Sequence, residues 1–137
     1  MGQGEPLRIR FHHSADETVL YVEGDVDLAT APTLEGALDL ALPLIHGGEV
    51  VVDMAGVEFI DSAGVRALTL AAGRARRCGS TVVVRNPSRM ARKVFDILEA
   101  GSVLTIEDPL EAPRADSWAP ESATREGRLG WTASLVG

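Results

Sequence analysis

The sequence predicts a small α/β domain in which helices pack on a mixed β-sheet, and three observations support this fold class. Residues 7–11 alternate apolar and polar side chains, which is typical of a half-buried strand. Residues 50–52 and 82–84 are runs of three valines, which are typical of strands buried on both faces. Segments with apolar side chains at helical spacing separate these runs, and short connections between such units make their strands parallel.

The first two strands are predicted to form a hairpin. The alternating residues 7–11 are followed by turn-forming residues at 14–17 and by a second apolar segment at 19–22. A first helix then begins with Thr30 as its N-cap. Pro43 is expected to kink or shorten that helix, since proline removes a backbone donor.

From residue 49 onward the predicted order is β-α-β-α-β. A strand at 49–53 leads to a helix that starts at Ser62, and a strand at 81–84 leads to a third helix with Ser88 as N-cap. A last strand at 103–106 completes the sheet. Four apolar side chains at helical spacing are expected to form the buried face of the third helix: Met90, Val94, Ile97 and Leu98.

The folded domain is expected to span residues 6–108. The remaining residues, 109–137, are rich in Pro, Ala, Ser, Glu, Arg and Gly and show no periodicity. This composition favours a disordered C-terminal tail. Trp118 and Trp131 lie within it, and the sequence assigns neither of them a role.

Composition limits the classes of partner and compartment. The net charge of −7 over 137 residues disfavours direct binding to nucleic acid or to an acidic membrane. Cys78 is the single cysteine, so no internal disulfide is possible. No secretion signal or apolar run of membrane-spanning length is present. A cytoplasmic location is therefore expected.

Catalytic and metal-binding patterns are absent from the sequence. It contains no nucleophile elbow, no phosphate-binding glycine loop, no dinucleotide fingerprint and no zinc-ligand spacing. Asp53 ends a valine strand, like the phosphoacceptor of a receiver domain. Lys93, however, is the only lysine and lies on the third helix, not after the last strand. We therefore expect Asp53 to be a turn or cap residue, and we expect no enzyme activity, metal or cofactor.

Ser62 is the leading candidate for a functional residue. It lies where a buried strand passes into a helix, and the N-terminus of a helix favours anions. Asp61 precedes it, and Asp25, Asp27 and Asn86 follow the carboxyl ends of other strands, where α/β sheets place their sites. Phosphorylation of Ser62 would add about −1.5 to −2 charges to this acidic surface. Such a change suits a docking surface that is switched on and off.

Four segments resemble those of a STAS domain, specifically the anti-sigma factor antagonist family of bacterial partner-switching systems. They are Gly24-Asp25-Val26-Asp27, Val50 to Gly56, Asp61-Ser62-Ala63-Gly64-Val65 and Asn86-Pro87, and the resemblance covers about residues 7–107. It implies that Ser62 matches the phosphorylatable serine of the family and that Asp27 and Asp61 match acidic positions flanking it. The predicted partner-binding residues are Asp25, Asp27, Asp61, Ser62, Ala63, Gly64 and Asn86.

The resemblance also implies a mechanism. The unphosphorylated protein would bind an anti-sigma factor that is also a serine kinase of GHKL type, freeing a sigma factor for transcription, as in bacterial stress responses. The kinase, holding ATP and magnesium, would phosphorylate Ser62 and cause release, and a PP2C-type phosphatase would reverse it. Two positions depart from the family pattern: Ala63 replaces a common Ser or Thr, and Asp25 replaces a more usual Glu.

Two other functions are compatible with the same residues. A ligand-sensing STAS module would bind a nucleotide or another small molecule in the crevice beside Ser62. A hydrolase would use Ser62 as its nucleophile, but the sequence places no histidine base near it.

Overall fold

A computed structural model of the chain describes residues 6–45, 47–107 and 131–136. Within these ranges the chain forms six strands, three α-helices and two short 3-10 helices. The strands are β1 (Arg8–His13), β2 (Glu17–Glu23), β3 (Glu49–Gly56), β4 (Thr81–Arg85), β5 (Thr105–Ile106) and β6 (Trp131–Val136). The α-helices are α1 (Ala31–Ala41), α2 (Ser62–Arg77) and α3 (Arg89–Ile97), and the 3-10 helices are Leu42–Leu44 and Ala100–Ser102.

All six strands belong to one mixed sheet with the order β5-β4-β3-β2-β1-β6. β1 and β2 form the antiparallel hairpin, whereas β2, β3, β4 and β5 run parallel to one another. The predicted fold class, a hairpin followed by β-α-β-α-β in a mixed sheet, is therefore confirmed. The carboxyl ends of the parallel strands meet at one edge, from which the loops leading into α1, α2 and α3 emerge.

The central strands are buried on both faces, as their valine runs predict. Val50 and Val52 of β3 belong to the main core, with the buried faces of the helices. Val51 lies between them in sequence and therefore points to the opposite face, where it packs with Val19 and Val83 in a separate small cluster. Tyr21 packs against that second cluster.

The prediction for the buried face of α3 is wrong at three of its four positions. The exposed fractions are 52% for Met90, 77% for Ile97 and 44% for Leu98. α3 instead buries Ala91 and Phe95, one turn apart, while Val94 is partly buried. Burying the large ring of Phe95 orients the helix. Ile97, two residues after Phe95, points away from this buried face and is therefore left at the surface.

The C-terminal part of the chain departs from the expectation of a tail without structure. β6 pairs antiparallel with β1, from Arg8 opposite Val136 to His13 opposite Trp131, and so extends the sheet at the edge of the hairpin. The expectation is wrong over these six residues, because strand pairing depends on the free edge that β1 offers. The rest of the predicted tail, including Trp118, lies outside the described residues.

Within the described ranges, none of the helices combines the length and the apolar character needed to cross a membrane.

Candidate functional site

The site is organised by the start of α2. Asp61 is the N-cap, and its Oδ1 accepts hydrogen bonds from the backbone N–H groups of Ala63 at 2.9 Å and Gly64 at 3.3 Å. Ser62 is the first helical residue, and its side chain is exposed. Its hydroxyl makes no hydrogen bond with any described residue. Asp61, which precedes the serine, is thus the cap of α2 and leaves the serine oxygen available.

Gly64 lets the start of α2 pack closely against its surroundings. A Cβ at this position would lie 2.6 Å from Cγ1 of Val26 and 2.7 Å from Cγ1 of Ile60, which are both buried. Gly64 itself is buried, and Ala63 is half-buried. Gly64 was predicted to contact a partner, but it is buried, and its role is to allow the start of α2 to pack against Val26 and Ile60.

Backbone hydrogen bonds hold the loop after β2 against the loop before α2. The Val26 N–H donates to the Phe59 carbonyl at 2.9 Å, and the Asp61 N–H donates to the Val26 carbonyl at 3.0 Å. Val26 and Ile60 also form an isolated parallel bridge. These bonds fix the acidic loop, which carries Asp25, beside Ser62.

The three predicted acids have different roles in this loop structure. Oδ1 of Asp27 accepts the Thr30 backbone N–H at 3.0 Å, so Asp27 satisfies a donor at the start of α1. Thr30, the predicted side-chain cap, makes no such bond, and its hydroxyl donates to the Asp25 carbonyl at 2.8 Å. Asp27 and Asp61 are thus both engaged by backbone, whereas the exposed Asp25 carboxylate forms no hydrogen bond or ion pair within the described chain.

Asn86 belongs to a second polar group centred on Asp53. Its side-chain N–H donates to Oδ2 of Asp53 at 3.2 Å, and its backbone is left-handed with φ of 58°, which asparagine tolerates. Oδ1 of Asp53 accepts the Ala55 N–H at 3.0 Å, as in a turn. Asp53 follows Val51 on the sheet face opposite the main core and is 2% exposed. Burial raises the pKa of this carboxyl above its ordinary value of 3.8.

Three exposed apolar side chains, which we call the apolar rim, lie on segments that meet near Ser62. They are Leu28 at 78%, Phe59 at 40% and Met90 at 52% exposure. Ser88 joins two of these segments, because its hydroxyl donates to the Glu58 carbonyl at 3.3 Å. The sequence analysis missed this surface, since it placed Met90 in the core and assigned the other two no role. Contiguous exposed apolar surface is typical of protein interfaces, and the segments that carry these three side chains adjoin one another.

A cavity of about 280 Å³ opens at a different place, beside Asp53. Its lining residues do not include Ser62 or any residue of the apolar rim. They are Arg10, Tyr21, Val22, Glu23, Asp53, Ala55 and Gly56. Over the described part of the chain, no group of three or more His, Cys, Asp or Glu side chains is placed to hold a metal ion.

Comparison with known proteins identifies the family. The family model described as "Mlab, STAS domain" matches residues 9–105. This range contains β2, β3 and β4 in full, all of β1 except Arg8, and the first residue of β5, but not β6. The chain therefore belongs to the STAS domain family. A search of the curated proteins found no match.

Solved structures with the same fold include several anti-sigma factor antagonists. One from Mycobacterium paratuberculosis is 21% identical, with a TM-score of 0.61 over 89% of this chain and 94% of that chain. A STAS domain protein from Planctomyces limnophilus is 19% identical, with a TM-score of 0.65 over 72% and 87%. The Bacillus cell fate determinant SpoIIAA in its phosphorylated form is 17% identical, with a TM-score of 0.57 over 75% and 94%. At these identities the likeness establishes the fold.

Proposed function

We propose that the protein is an anti-sigma factor antagonist switched by phosphorylation of Ser62. The unphosphorylated form binds an anti-sigma factor that is also a serine kinase, and the phosphorylated form is released, which regulates sigma-factor-dependent transcription in the cytoplasm. One observation carries this proposal: the Ser62 hydroxyl is exposed and unbonded within the described chain, because Asp61 caps α2 in its place.

The chemical step is carried out by the partner. Oγ of Ser62 attacks the γ-phosphorus of ATP held with magnesium by a GHKL-type kinase, the serine loses its proton, and ADP leaves. A PP2C-type phosphatase then hydrolyses the phosphoserine and restores the hydroxyl. The protein itself is a binding module, and its contribution is to present Ser62 at the edge of the sheet where the partner can reach it.

The proposed docking surface combines the apolar rim with the polar residues predicted to contact the partner. Leu28, Phe59 and Met90 supply apolar area that becomes buried on association. Asp25 supplies a free charge, Ala63 lies in the first turn of α2, and Asn86 lies in the loop between β4 and α3. A phosphoryl group placed among these residues would have to lose its hydration on binding, which opposes association.

Site mapping tests the phosphorylation step. The chain is incubated with ATP and GHKL-type kinases from bacteria with partner-switching systems, and the phosphorylated residue is identified by mass spectrometry. We expect phosphate on Ser62 and none on the Ser62→Ala variant. Modification of another residue, with Ser62→Ala labelled as fully as the wild type, would contradict the proposal.

Calorimetry with the kinase that modifies the chain tests the switch. We expect Ser62→Ala to bind like the wild type and Ser62→Asp to bind at least about tenfold more weakly, which corresponds to about 1.4 kcal/mol. Ser102→Asp is the matched control, because it adds the same charge at an exposed serine on the 3-10 helix preceding β5. Equal affinities for the aspartate variant at position 62 and the wild type would argue against a charge switch.

The cavity beside Asp53 favours a ligand-sensing module as the second candidate. Its lining includes Arg10, Tyr21 and Asp53, so a guanidinium, an aromatic ring and a carboxyl group are available to bind a small polar molecule. A thermal-shift screen with nucleotides and small metabolites tests this function. Stabilisation that is lost in Arg10→Ala would support it, whereas no stabilising compound would count against it.

A further inference from the structure

Arg66 is the basic side chain one helical turn beyond Ser62. Both residues lie in the regular helix α2, and both are exposed. Residues four apart are neighbours on a helix surface, with Cβ atoms about 5 to 6 Å apart. Helical side chains lean toward the N-terminus, so a long side chain at position 66 can reach a group on Ser62.

Two of the backbone donors that usually receive an anion at a helix start are not available to a phosphoryl group on Ser62. The N–H groups of Ala63 and Gly64 already donate to the carboxylate of Asp61. The phosphate would therefore be placed beside an existing negative charge, and a cationic side-chain donor would stabilise it.

The surrounding segments supply mostly negative charge. Arg66 forms no ion pair with any residue in the described ranges, so its guanidinium is available. The charged groups on the loops, on α1 and at the start of α3 are Asp25, Asp27, Glu35, Asp39, Glu58, Asp61 and Arg89, of which Asp39 is paired with Arg74. Arg66 is thus the positively charged residue of α2 that lies one turn from Ser62.

We propose that Arg66 binds the phosphoryl group of phosphorylated Ser62 in an ion pair within the chain. This inference rests on the proposed function only in that Ser62 is the residue modified. A guanidinium can donate two parallel hydrogen bonds to phosphate oxygens. The acidic group lies N-terminal to the basic one, which is the favourable orientation for a pair four residues apart. The phosphorylated state therefore has its own stabilising contact, independent of any partner.

The test uses full-length chain with phosphoserine installed at position 62 during translation, so no kinase is needed. A phosphorus NMR titration measures the second pKa of the phosphoserine. We expect the pKa in the Arg66→Ala variant to be about 0.15 to 0.4 units higher than in the wild-type chain, because the guanidinium favours the dianion. Arg66→Lys should restore part of the difference, since it keeps the charge.

Arg76→Ala is the matched control, because Arg76 is an exposed arginine near the other end of the same helix. It should leave the pKa of the phosphoserine unchanged. Equal pKa values in the wild-type chain and in Arg66→Ala, within about 0.1 units, would overturn the ion pair. That result would leave phosphorylation by a kinase intact, whereas failure of every kinase to modify Ser62 would defeat the proposed function and not this pairing.

Discussion

Asp61 and Asp53 make the same local hydrogen bond in two different surroundings. Each carboxylate accepts the backbone N–H two residues further along the chain, at 2.9 Å for Asp61 and 3.0 Å for Asp53. Asp61 is half-buried at the start of α2, where the helix N-terminus favours a negative charge. Asp53 is 2% exposed on a sheet face, and burial raises its pKa.

The comparison shows that burial decides what a locally identical motif does. At Asp61 the bond caps a helix and leaves the neighbouring Ser62 hydroxyl open to solvent. At Asp53 the bond, together with the one from Asn86, partly offsets the cost of a buried charge. The first site exposes a serine hydroxyl to solvent, and the second links the end of β3 to the loop after β4.

The largest effect on stability is expected from adding a side chain at Gly64, where the start of α2 packs closely on the core. Gly64→Ala places a Cβ 2.6 Å from Cγ1 of Val26, so it should lower the free energy of unfolding by about 1 to 3 kcal/mol. Gly73→Ala in the same helix is the control. Apart from its chain neighbours and the backbone of its own helix, no described atom lies within 4 Å of the added Cβ, so the substitution should stabilise by about 0.5 to 1 kcal/mol. Urea denaturation measures both, and equal effects would contradict the packing described here.

The second-largest effect is expected from removing the helix cap that Asp61, unlike Asp53, provides. Asp61→Ala should cost about 1 kcal/mol, because the Ala63 and Gly64 N–H groups lose their acceptor. Asp61→Asn keeps an acceptor oxygen, so its cost should be only a few tenths of a kcal/mol. Denaturation midpoints of the two variants measure this difference. Indistinguishable midpoints would mean that the carboxylate does not act as a cap.

Asp53 should affect the pH dependence of stability. Because its folded-state pKa lies above the ordinary value of 3.8, the folded chain holds this proton more tightly than the unfolded chain. The resulting stabilisation is absent at neutral pH, appears as the pH falls through the folded pKa, and is complete below the unfolded pKa. Asp53→Asn should remove this dependence, because an amide does not titrate in this pH range.

The measurement for Asp53 is a series of denaturation curves between neutral and acidic pH. Asp96→Asn is the control, since Asp96 is an exposed carboxylate on α3. Its pH profile should follow that of the wild type. An Asp53→Asn profile that also follows the wild type would show that the buried carboxyl makes no contribution.

The smallest effect on stability is expected at Ser62. Ser62→Ala should change the free energy of unfolding by no more than about 0.5 kcal/mol, because the hydroxyl is exposed and the cap is Asp61. Thermal denaturation checks this value. A loss comparable to that of Asp61→Ala would assign the capping role to the serine and would weaken its assignment as a free phosphoacceptor.

The sequence predicted the sheet and the position of Ser62 well because both depend on local patterns. Alternation in β1 and the valine runs of β3 and β4 are periodic signals that burial in a sheet requires. The roles of Asp27 and Thr30 were not predictable in the same way. Both residue types cap helices, and only the course of the loop after β2 decides which oxygen meets the free N–H.

By itself the sequence determined the order of strands and helices from β1 to β5, the mixed sheet and the serine at the start of α2. Hydrophobic periodicity and turn-forming residues act over a few positions, so they are visible in the chain. Only the tertiary structure decided that Phe95 orients α3, that β6 joins the edge of β1, and that Asp53 is buried while Asp61 is not. These outcomes depend on contacts between residues far apart in sequence, where side-chain volume and free strand edges select among locally equivalent arrangements.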